Sequence, residues 1–144
     1  MALDTAAARA ATDRICHYFE HLSPASLGEI DRLYTPQARF KDPFNEVHGT
    51  AAIRGIFEHM YASLHEPRFV VTQRIVDGAQ VFLVWEFHFR FQRFDPQQPR
   101  IAGINARTRF RHYINLERTE GRLKRLLADF HWDRVDRVFD LEAR

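Results

Sequence analysis

Residues 33–57 read LYTPQARFKDPFNEVHGTAAIRGIF, with one acid, Asp42, between two phenylalanines and directly before a proline. Phe40 and Asp42 are two residues apart, so an extended chain directs both side chains to the same face. Pro43 biases the residue before it toward an extended backbone, which fixes the direction of the Asp42 side chain. The stretch therefore predicts a strand that ends in a positioned acid.

Two roles are open for Asp42 on the residues alone. If Phe40 points into an apolar cavity, the Asp42 carboxylate points there too and can act as a general base. Alternatively, Asp42 caps a turn, because an aspartate before a proline commonly accepts hydrogen bonds from the backbone that follows it. The first role is chemical and the second is structural.

Helical periodicity is present on both sides of this stretch. Apolar residues at helical spacing predict a first helix: Ala11, Ile15, Tyr18, Phe19 and Leu22. This spacing places Tyr18 on the buried face. Ser26 and Glu29 have the spacing of a capping box for a short second helix. A third helix is predicted to follow Gly49 and to end near Pro67.

The period changes from helical to alternating after the third helix. Four strands are predicted, over residues 67–76, 79–94, 100–118 and 121–133. A last short helix is predicted from Val135, Val138 and Phe139. Helices followed by long antiparallel strands favour an α+β fold, in which the helices cover one face of a curved, cone-shaped sheet.

The second of these strands has the clearest alternation. Within WEFHFRF, residues 85–91, every odd position is aromatic: Trp85, Phe87, Phe89 and Phe91. Glu86, His88 and Arg90 occupy the other face. One face is therefore predicted to pack inward, and the other to meet water or a second subunit.

Length and composition indicate one globular domain, residues 1–144. Hydrophobic residues make up 45% of the 144 residues, which is enough to bury a core. Formal net charge is only +2, since 21 Lys and Arg are nearly balanced by 19 Asp and Glu. Arg107, Arg109 and Arg111 share one strand face, and no aromatic stacking motif is interleaved with them on that face. No nucleic-acid partner is predicted.

The beginning of the chain and its cysteine content bear on location. Cys16 is the single cysteine, and the first residues, MALDTAAARAATDR, lack a continuous apolar segment. No stretch reaches membrane-spanning length. We expect a reducing, cytoplasmic setting and no membrane partner.

The block from Tyr34 to Phe57, with its tyrosine, alternating strand, Asp-Pro pair and Gly49 before a helix, resembles the NTF2-like superfamily. Within it, the chain is similar to the SnoaL-like and ketosteroid isomerase-like branch, over nearly its whole length. The resemblance implies an NTF2-like cone. It also implies that Asp42 is the base that moves a proton between two carbons, and that Tyr18 donates to the developing oxyanion.

The sequence departs from the ketosteroid isomerase pattern at the second donor. No aspartate occupies the third long strand, whose more apolar face carries the following residues: Thr108, Phe110, His112, Ile114 and Leu116. His112 is the nearest substitute, because a neutral imidazole can donate one N–H. Asp42, Tyr18 and His112 are therefore the predicted catalytic residues.

The resemblance implies that these residues belong to a cofactor-independent isomerase, dehydratase or polyketide cyclase that acts on an apolar carbonyl compound. No cofactor or metal is expected. The alternative is a ligand-binding or protein-interaction domain without chemistry. The predicted pocket residues are mainly aromatic: Phe40, Phe57, Met60, Trp85, Phe87, Phe110 and Trp132. A homodimer is expected, paired through the sheet.

Two polar clusters are weaker candidate sites. HYFEH, residues 17–21, matches the H-x-x-E-H zinc pattern, but His17 and His21 lie roughly 100° to 140° from the apolar stripe of their helix. They are predicted at the helix edge or in solvent. Glu86 and His88 share a strand face, which we interpret as a wet surface or dimer interface.

A third cluster is DFHWD, residues 129–133, at the end of the last strand. In the superfamily this location borders the cavity, so Asp129 or His131 could contact a ligand. Alternation puts Phe130 and Trp132 on the opposite face from Asp129 and His131. The sequence does not decide which pair faces inward.

Overall fold

The computed structural model describes residues 3–42, 45–91 and 105–131. The helical segments are α1 (Thr5–Glu20), a 3₁₀ helix (Pro24–Glu29), α2 (Ile30–Leu33) and α3 (Thr50–Ser63). The strands are β1 (Tyr34–Lys41), β2 (Glu46–His48), β3 (Leu64–Asp77), β4 (Gln80–Phe91), β5 (Asn105–Leu116) and β6 (Leu123–His131). The predicted last helix lies outside the described residues.

The strands form one six-stranded sheet in the order β2-β1-β6-β5-β4-β3. The sheet is curved. It is not closed, because β2 and β3 form two separate edges. The long strands pair antiparallel with their neighbours, as predicted. β1 pairs parallel with β6, which the sequence did not predict. The α+β fold class is confirmed.

α1 begins after an N-cap residue, Asp4, and buries one apolar face. The backbone N–H of Ala7 donates to Asp4 Oδ1 at 2.7 Å, which satisfies an otherwise unpaired donor of the first turn. Ile15 and Phe19 are buried against the sheet. Tyr18, predicted on the buried face, is only half-buried.

The predicted capping box of Ser26 and Glu29 is wrong. Pro24 starts the 3₁₀ helix two residues before Ser26, because its fixed φ suits a first helical position. Ser26 is consequently inside the helix, and its Oγ accepts from the backbone N–H of Ser23 at 3.0 Å. The reciprocal pair therefore joins Ser23 and Ser26.

β3 begins earlier than predicted, directly after α3. Its register shifts between His65 and Arg68, around Glu66 (φ 50°) and Pro67. A proline is tolerated in this position because β3 is an edge strand, whose outer N–H groups have no ladder partner. The irregularity bends the strand where it leaves the helix.

The core lies between the inner face of the sheet and the helices. On β4 the predicted alternation is confirmed for Trp85, Phe87 and Phe89, which are buried; the Phe91 side chain lies outside the described residues. His112 and Ile114 of β5 are buried on the same side of the sheet. In the described ranges, no helix combines the length and hydrophobicity needed to cross a membrane.

Candidate functional site

A cavity of about 570 Å³ lies between α3 and the inner face of the sheet. Its volume is in the range of small-molecule sites in proteins. Most of its lining is apolar: Phe19, Phe40, Ile56, Phe57, Met60, Leu64, Phe69, Trp85, Phe87, Phe89, Phe110, Leu126 and Ala128. This arrangement favours an apolar ligand.

The aromatic rings of the wall pack on one another rather than filling the cavity. The rings of Phe69 and Phe87 stack with their centroids 4.8 Å apart, and the ring centroids of Phe19 and Trp85 are 4.6 Å apart. Phe57 of α3 meets Phe19 at 5.8 Å. Such contacts hold each ring in one orientation, which gives the cavity a defined shape.

One face of α3 borders the cavity where it opens to solvent. Ala52, Gly55 and His59 line the cavity and are also exposed, so they lie at its mouth. Their spacing of three and four residues is that of one helix face. Ser63, one turn beyond His59, also lines the cavity, with its Oγ 3.4 Å from His59 Nε2.

Asp42 lines this cavity and also takes part in a turn. Its Oδ1 accepts from the backbone N–H of Asn45 at 2.6 Å, and the Asn45 side-chain amide donates to Oδ1 and Oδ2 at 3.2 and 3.3 Å. Asp42 N–H donates back to the Asn45 carbonyl at 2.8 Å. Both roles considered for Asp42 therefore have contacts that favour them.

His112 lines the cavity from β5 and is only 7% exposed. Burial lowers its pKa to about 3, so the imidazole is neutral at physiological pH. The ring stacks on Trp85, with centroids 4.2 Å apart and planes 27° apart. Its Nδ1 has no hydrogen-bond partner within the described part of the chain.

Tyr18 is not brought together with Asp42 and His112. It does not line the cavity, and its hydroxyl donates to the Ser26 carbonyl at 2.8 Å, which ties α1 to the 3₁₀ helix. Burial raises the pKa of Tyr18 to about 12. The reason is geometric: neighbouring helical residues are about 100° apart, and Phe19 takes the direction toward the cavity.

Tyr34 is the described tyrosine that does line the cavity, although no site role was predicted for it. It is fully buried at the start of β1, where burial raises the pKa of its hydroxyl well above the usual range. That hydroxyl has no hydrogen-bond partner among residues 3–42, 45–91 and 105–131. The available signal was its spacing: Tyr34, Phe40 and Asp42 are separated by even numbers of residues, so an extended strand directs their side chains to the same face.

The predicted pocket residues were placed as follows. Six of them line the cavity: Phe40, Phe57, Met60, Trp85, Phe87 and Phe110. Trp132 lies outside the described residues. Asn45, missed by the sequence analysis, follows Asp42 by three residues, which is the spacing of a side chain that caps its own turn.

In the weaker candidate clusters, the side chains that the structure describes lie away from the cavity. His17 and His21 are exposed, as predicted, and stack on each other at 4.1 Å. The described ranges contain no group of three or more His, Cys, Asp or Glu side chains able to hold a metal ion. Asp129 is exposed, and its Oδ2 lies 2.7 Å from Arg111 Nη2. It does not line the cavity. The His131 side chain lies outside the described residues.

Glu86 and His88 also do not line the cavity. Glu86 Oε1 is 3.2 Å from His88 Nε2, on the face of β4 opposite the buried aromatic residues. Both side chains are half-buried. Their position agrees with the predicted outer face of the sheet.

The sequence matches one family model over residues 66–140, described as a domain of unknown function, DUF3473. The match spans more than half of the chain. The chain belongs to the DUF3473 family. No curated protein matches the sequence.

Solved structures similar to this DUF3473 chain share its fold at low sequence identity. A SnoaL-like polyketide cyclase from Agrobacterium tumefaciens has a TM-score of 0.70 at 12% identity, covering 92% of this chain and 97% of that one. An NTF2-like protein of unknown function from Burkholderia pseudomallei has 0.68 at 15%, covering 92% and 95%. An LEH-like epoxide hydrolase from M. tuberculosis has 0.70 at 10%, covering 96% and 93%.

These likenesses extend over nearly the full length of each chain. The DUF3473 chain therefore has the NTF2-like fold found in SnoaL-like proteins, and the fold that the sequence resemblance implied is confirmed.

Proposed function

We propose that this protein binds a neutral, apolar carbonyl compound in the cavity, and that Asp42 removes a proton from the carbon next to the carbonyl. The observation that carries the proposal is that Asp42 and His112 line the same, otherwise largely aromatic, cavity. A base and a neutral hydrogen-bond donor are the two groups that such a proton transfer needs.

The proposed step balances without a cofactor. The C–H bond breaks, its proton moves to the Asp42 carboxylate, and its electron pair shifts into an enolate whose charge develops on the carbonyl oxygen. The neutral His112 can donate one N–H to that oxygen. Return of the proton from Asp42 to a different carbon completes an isomerisation, which regenerates the carboxylate.

The surroundings of the two groups support this division of roles. Apolar walls exclude water and so strengthen a hydrogen bond to a developing charge. The contacts from Asn45 hold the carboxylate in one direction, which favours a fixed geometry for proton abstraction. The structural neighbours include proteins named as a polyketide cyclase and an epoxide hydrolase, which is in keeping with a small organic ligand.

The second candidate is ligand binding, or protein interaction, without chemistry. The turn contacts between Asp42 and Asn45 favour it, because they give the acid a structural role of its own. The position of Tyr18 outside the cavity favours it as well, since the donor expected from the first helix is used elsewhere. As a ligand-binding domain, the second candidate shares the cavity with the first and differs from it only in the role of Asp42.

The test is the rate at which the protein conjugates a β,γ-unsaturated ketone, followed by ultraviolet absorbance. Asp42→Asn keeps an acceptor oxygen for the Asn45 N–H but removes the base, so we expect the rate to fall at least about 100-fold in a folded protein. Glu46→Gln is the matched control. It removes an exposed carboxylate that pairs with Lys41 at 3.8 Å and does not line the cavity.

The outcomes separate the candidates. Turnover lost in Asp42→Asn and kept in Glu46→Gln supports the enzyme. A wild-type protein that binds the ketone without converting it favours the second candidate. A protein that neither binds nor converts apolar ketones contradicts both ligand proposals.

A further inference from the structure

Two residues of the cavity wall, Trp85 and His112, each carry a buried polar nitrogen atom. Trp85 Nε1 and His112 Nδ1 are both buried and lack a hydrogen-bond partner within the described ranges. Their residues are 2% and 7% exposed. A buried polar group without a partner typically costs about 1–3 kcal/mol, so native structures rarely keep one without a reason.

The two nitrogens belong to one stacked pair of rings. The Trp85 and His112 centroids are 4.2 Å apart, which brings both unpartnered groups to the same part of the wall. Both residues line the cavity, and the rings packed beside them are hydrocarbon rings. Phe19 and Phe69 have centroids 4.6 and 5.2 Å from that of Trp85, and Phe110 has its centroid 5.8 Å from that of His112. Because both residues line the cavity, a ligand bound there is the candidate partner for these nitrogens.

We propose that the Trp85 indole N–H and the His112 imidazole form a hydrogen-bonding subsite for the carbonyl oxygen of the bound ligand. The inference rests on the proposed function and deepens it, because it assigns Trp85 a polar role and fixes one end of the ligand. An indole N–H can only donate, so its partner must be an acceptor. With its proton on Nδ1, His112 donates to the same oxygen.

The same pair restricts the ligand to neutral compounds. His112 is neutral, and no Lys or Arg side chain is present in the described lining of the cavity. A carboxylate buried against this wall would lose its hydration without gaining a counter-charge, which is strongly unfavourable. The subsite therefore fits the oxygen of a ketone or enone and not that of an ionised acid.

The test compares three naphthalene compounds with equal numbers of non-hydrogen atoms: acetylnaphthalene, isopropylnaphthalene and naphthoate. Equilibrium dialysis gives their affinities for wild type and for Trp85→Phe. Loss of one hydrogen bond should lower the ratio of ketone to hydrocarbon affinity about tenfold, whereas a packing change alone acts on both compounds. Naphthoate should bind more weakly than the ketone to wild type.

His112→Phe and Phe87→Leu complete the set of variants. The first should also lower the ratio, because it removes the second donor. The second changes a cavity residue that has no polar atom and should leave the ratio unchanged. The hydrocarbon affinity of each preparation shows whether its cavity is intact.

A spectroscopic measurement needs no variant. The infrared carbonyl band of acetylnaphthalene bound to wild type should lie at lower frequency than in an alkane solvent, because a hydrogen bond weakens the C=O bond. An unshifted band, or an affinity ratio unchanged in both Trp85→Phe and His112→Phe, overturns the subsite while ketone binding and the proposed function stand. Failure of both the ketone and the hydrocarbon to bind wild type overturns the proposed function and the subsite with it.

Discussion

Asn45 holds the Asp42 carboxylate with contacts of 2.6, 3.2 and 3.3 Å, and two of these three come from its side-chain amide, which the sequence did not predict. A base must be both near its substrate and fixed in direction. The turn that fixes Asp42 is thus compatible with the chemical role. Turn capping and catalysis need not exclude each other at this residue.

His112 should make the stability of the protein depend on pH. Burial lowers its pKa to about 3 in the folded state, against 6.5 for an ordinary histidine, so between these values only the unfolded chain takes up the proton. The free energy of unfolding should therefore be highest above pH 6.5 and fall by up to about 1.4 kcal/mol per pH unit as pH decreases toward 3.

Urea unfolding of wild type and His112→Phe at pH 7.5 and 4.5 measures this effect. Phenylalanine keeps an aromatic ring against Trp85 but has no titratable group. Between the two pH values, wild type should lose about 2–3 kcal/mol more than the variant. Equal losses in the two proteins would contradict a buried, neutral His112.

The sequence could identify most of the aromatic wall but not the orientation of every polar group. Asp42 and His112 were found because a strand alternates with a period of two, which leaves little freedom in side-chain direction. The direction of the Tyr18 side chain was mispredicted because a small rotation of α1 about its axis decides whether Tyr18 or its neighbour Phe19 faces the cavity. The unpartnered nitrogen of Trp85 depends on its three-dimensional neighbours, which no pattern in one sequence records.

At the scale of elements, α3 packs on the sheet with one face and borders the mouth of the cavity with another. Its buried residues, Ile53 and Phe57, hold it on the sheet, while a neighbouring face borders the mouth of the cavity. Gly55 lies in that face, and a Cβ added to it would meet nothing within 4 Å. A glycine inside a helix is unfavourable, so its presence here suggests that space at the mouth is used.

Two substitutions of Gly55 test this interpretation. Gly55→Ala should raise the free energy of unfolding by about 0.5–1 kcal/mol, because alanine is the better helix former and no atom is in its way. Gly55→Leu should instead slow the association of acetylnaphthalene, since its side chain extends across the mouth. Thermal unfolding and stopped-flow binding measure the two effects.

Ala51→Leu is the matched control, on an exposed position of α3 that does not line the cavity. It should leave the association rate unchanged. If Gly55→Leu and Ala51→Leu bind the ketone at the same rate, ligands do not enter past this face of α3.

Long elements were predicted well and short ones poorly. β4 has 12 residues, and its alternation over residues 85–91 is long enough to be recognised in the sequence. β2 has only three residues, which is too short for any period to be recognised. The start of the 3₁₀ helix depended on one proline, and the parallel pairing of β1 with β6 depends on contacts between distant parts of the chain.

At the scale of the whole molecule, the outer face of the sheet carries an apolar row. Ile75 is 65% exposed and Phe82 44%, and they are paired across β3 and β4. Phe82 in turn contacts the Tyr113 ring at 4.9 Å. Arg111 and Asp129 lie on the same face with opposite charges, so the face can be complementary to a second copy of itself.

The homodimer expected from the sequence stays a prediction. A substitution in the apolar row of Ile75, Phe82 and Tyr113 can test it. Phe82→Glu should convert a dimer to monomers, because it would place charges at the centre of the apolar row. Sedimentation at micromolar concentration measures the change. Ala62→Glu, on an exposed position of α3 outside the cavity lining, controls for the added charge. A monomeric wild type would contradict the prediction.

The parallel pairing of β1 with β6 also determines when the molecule can finish folding during its synthesis. β1 ends at Lys41, and its long partner is complete only at His131. At translation rates of about 5–20 residues per second, the interval is on the order of ten seconds. During that time one edge of β1 has no strand beside it, and the acid at its end has no finished cavity. The emerging chain should thus complete its cavity in a single late step, after β6 has left the ribosome.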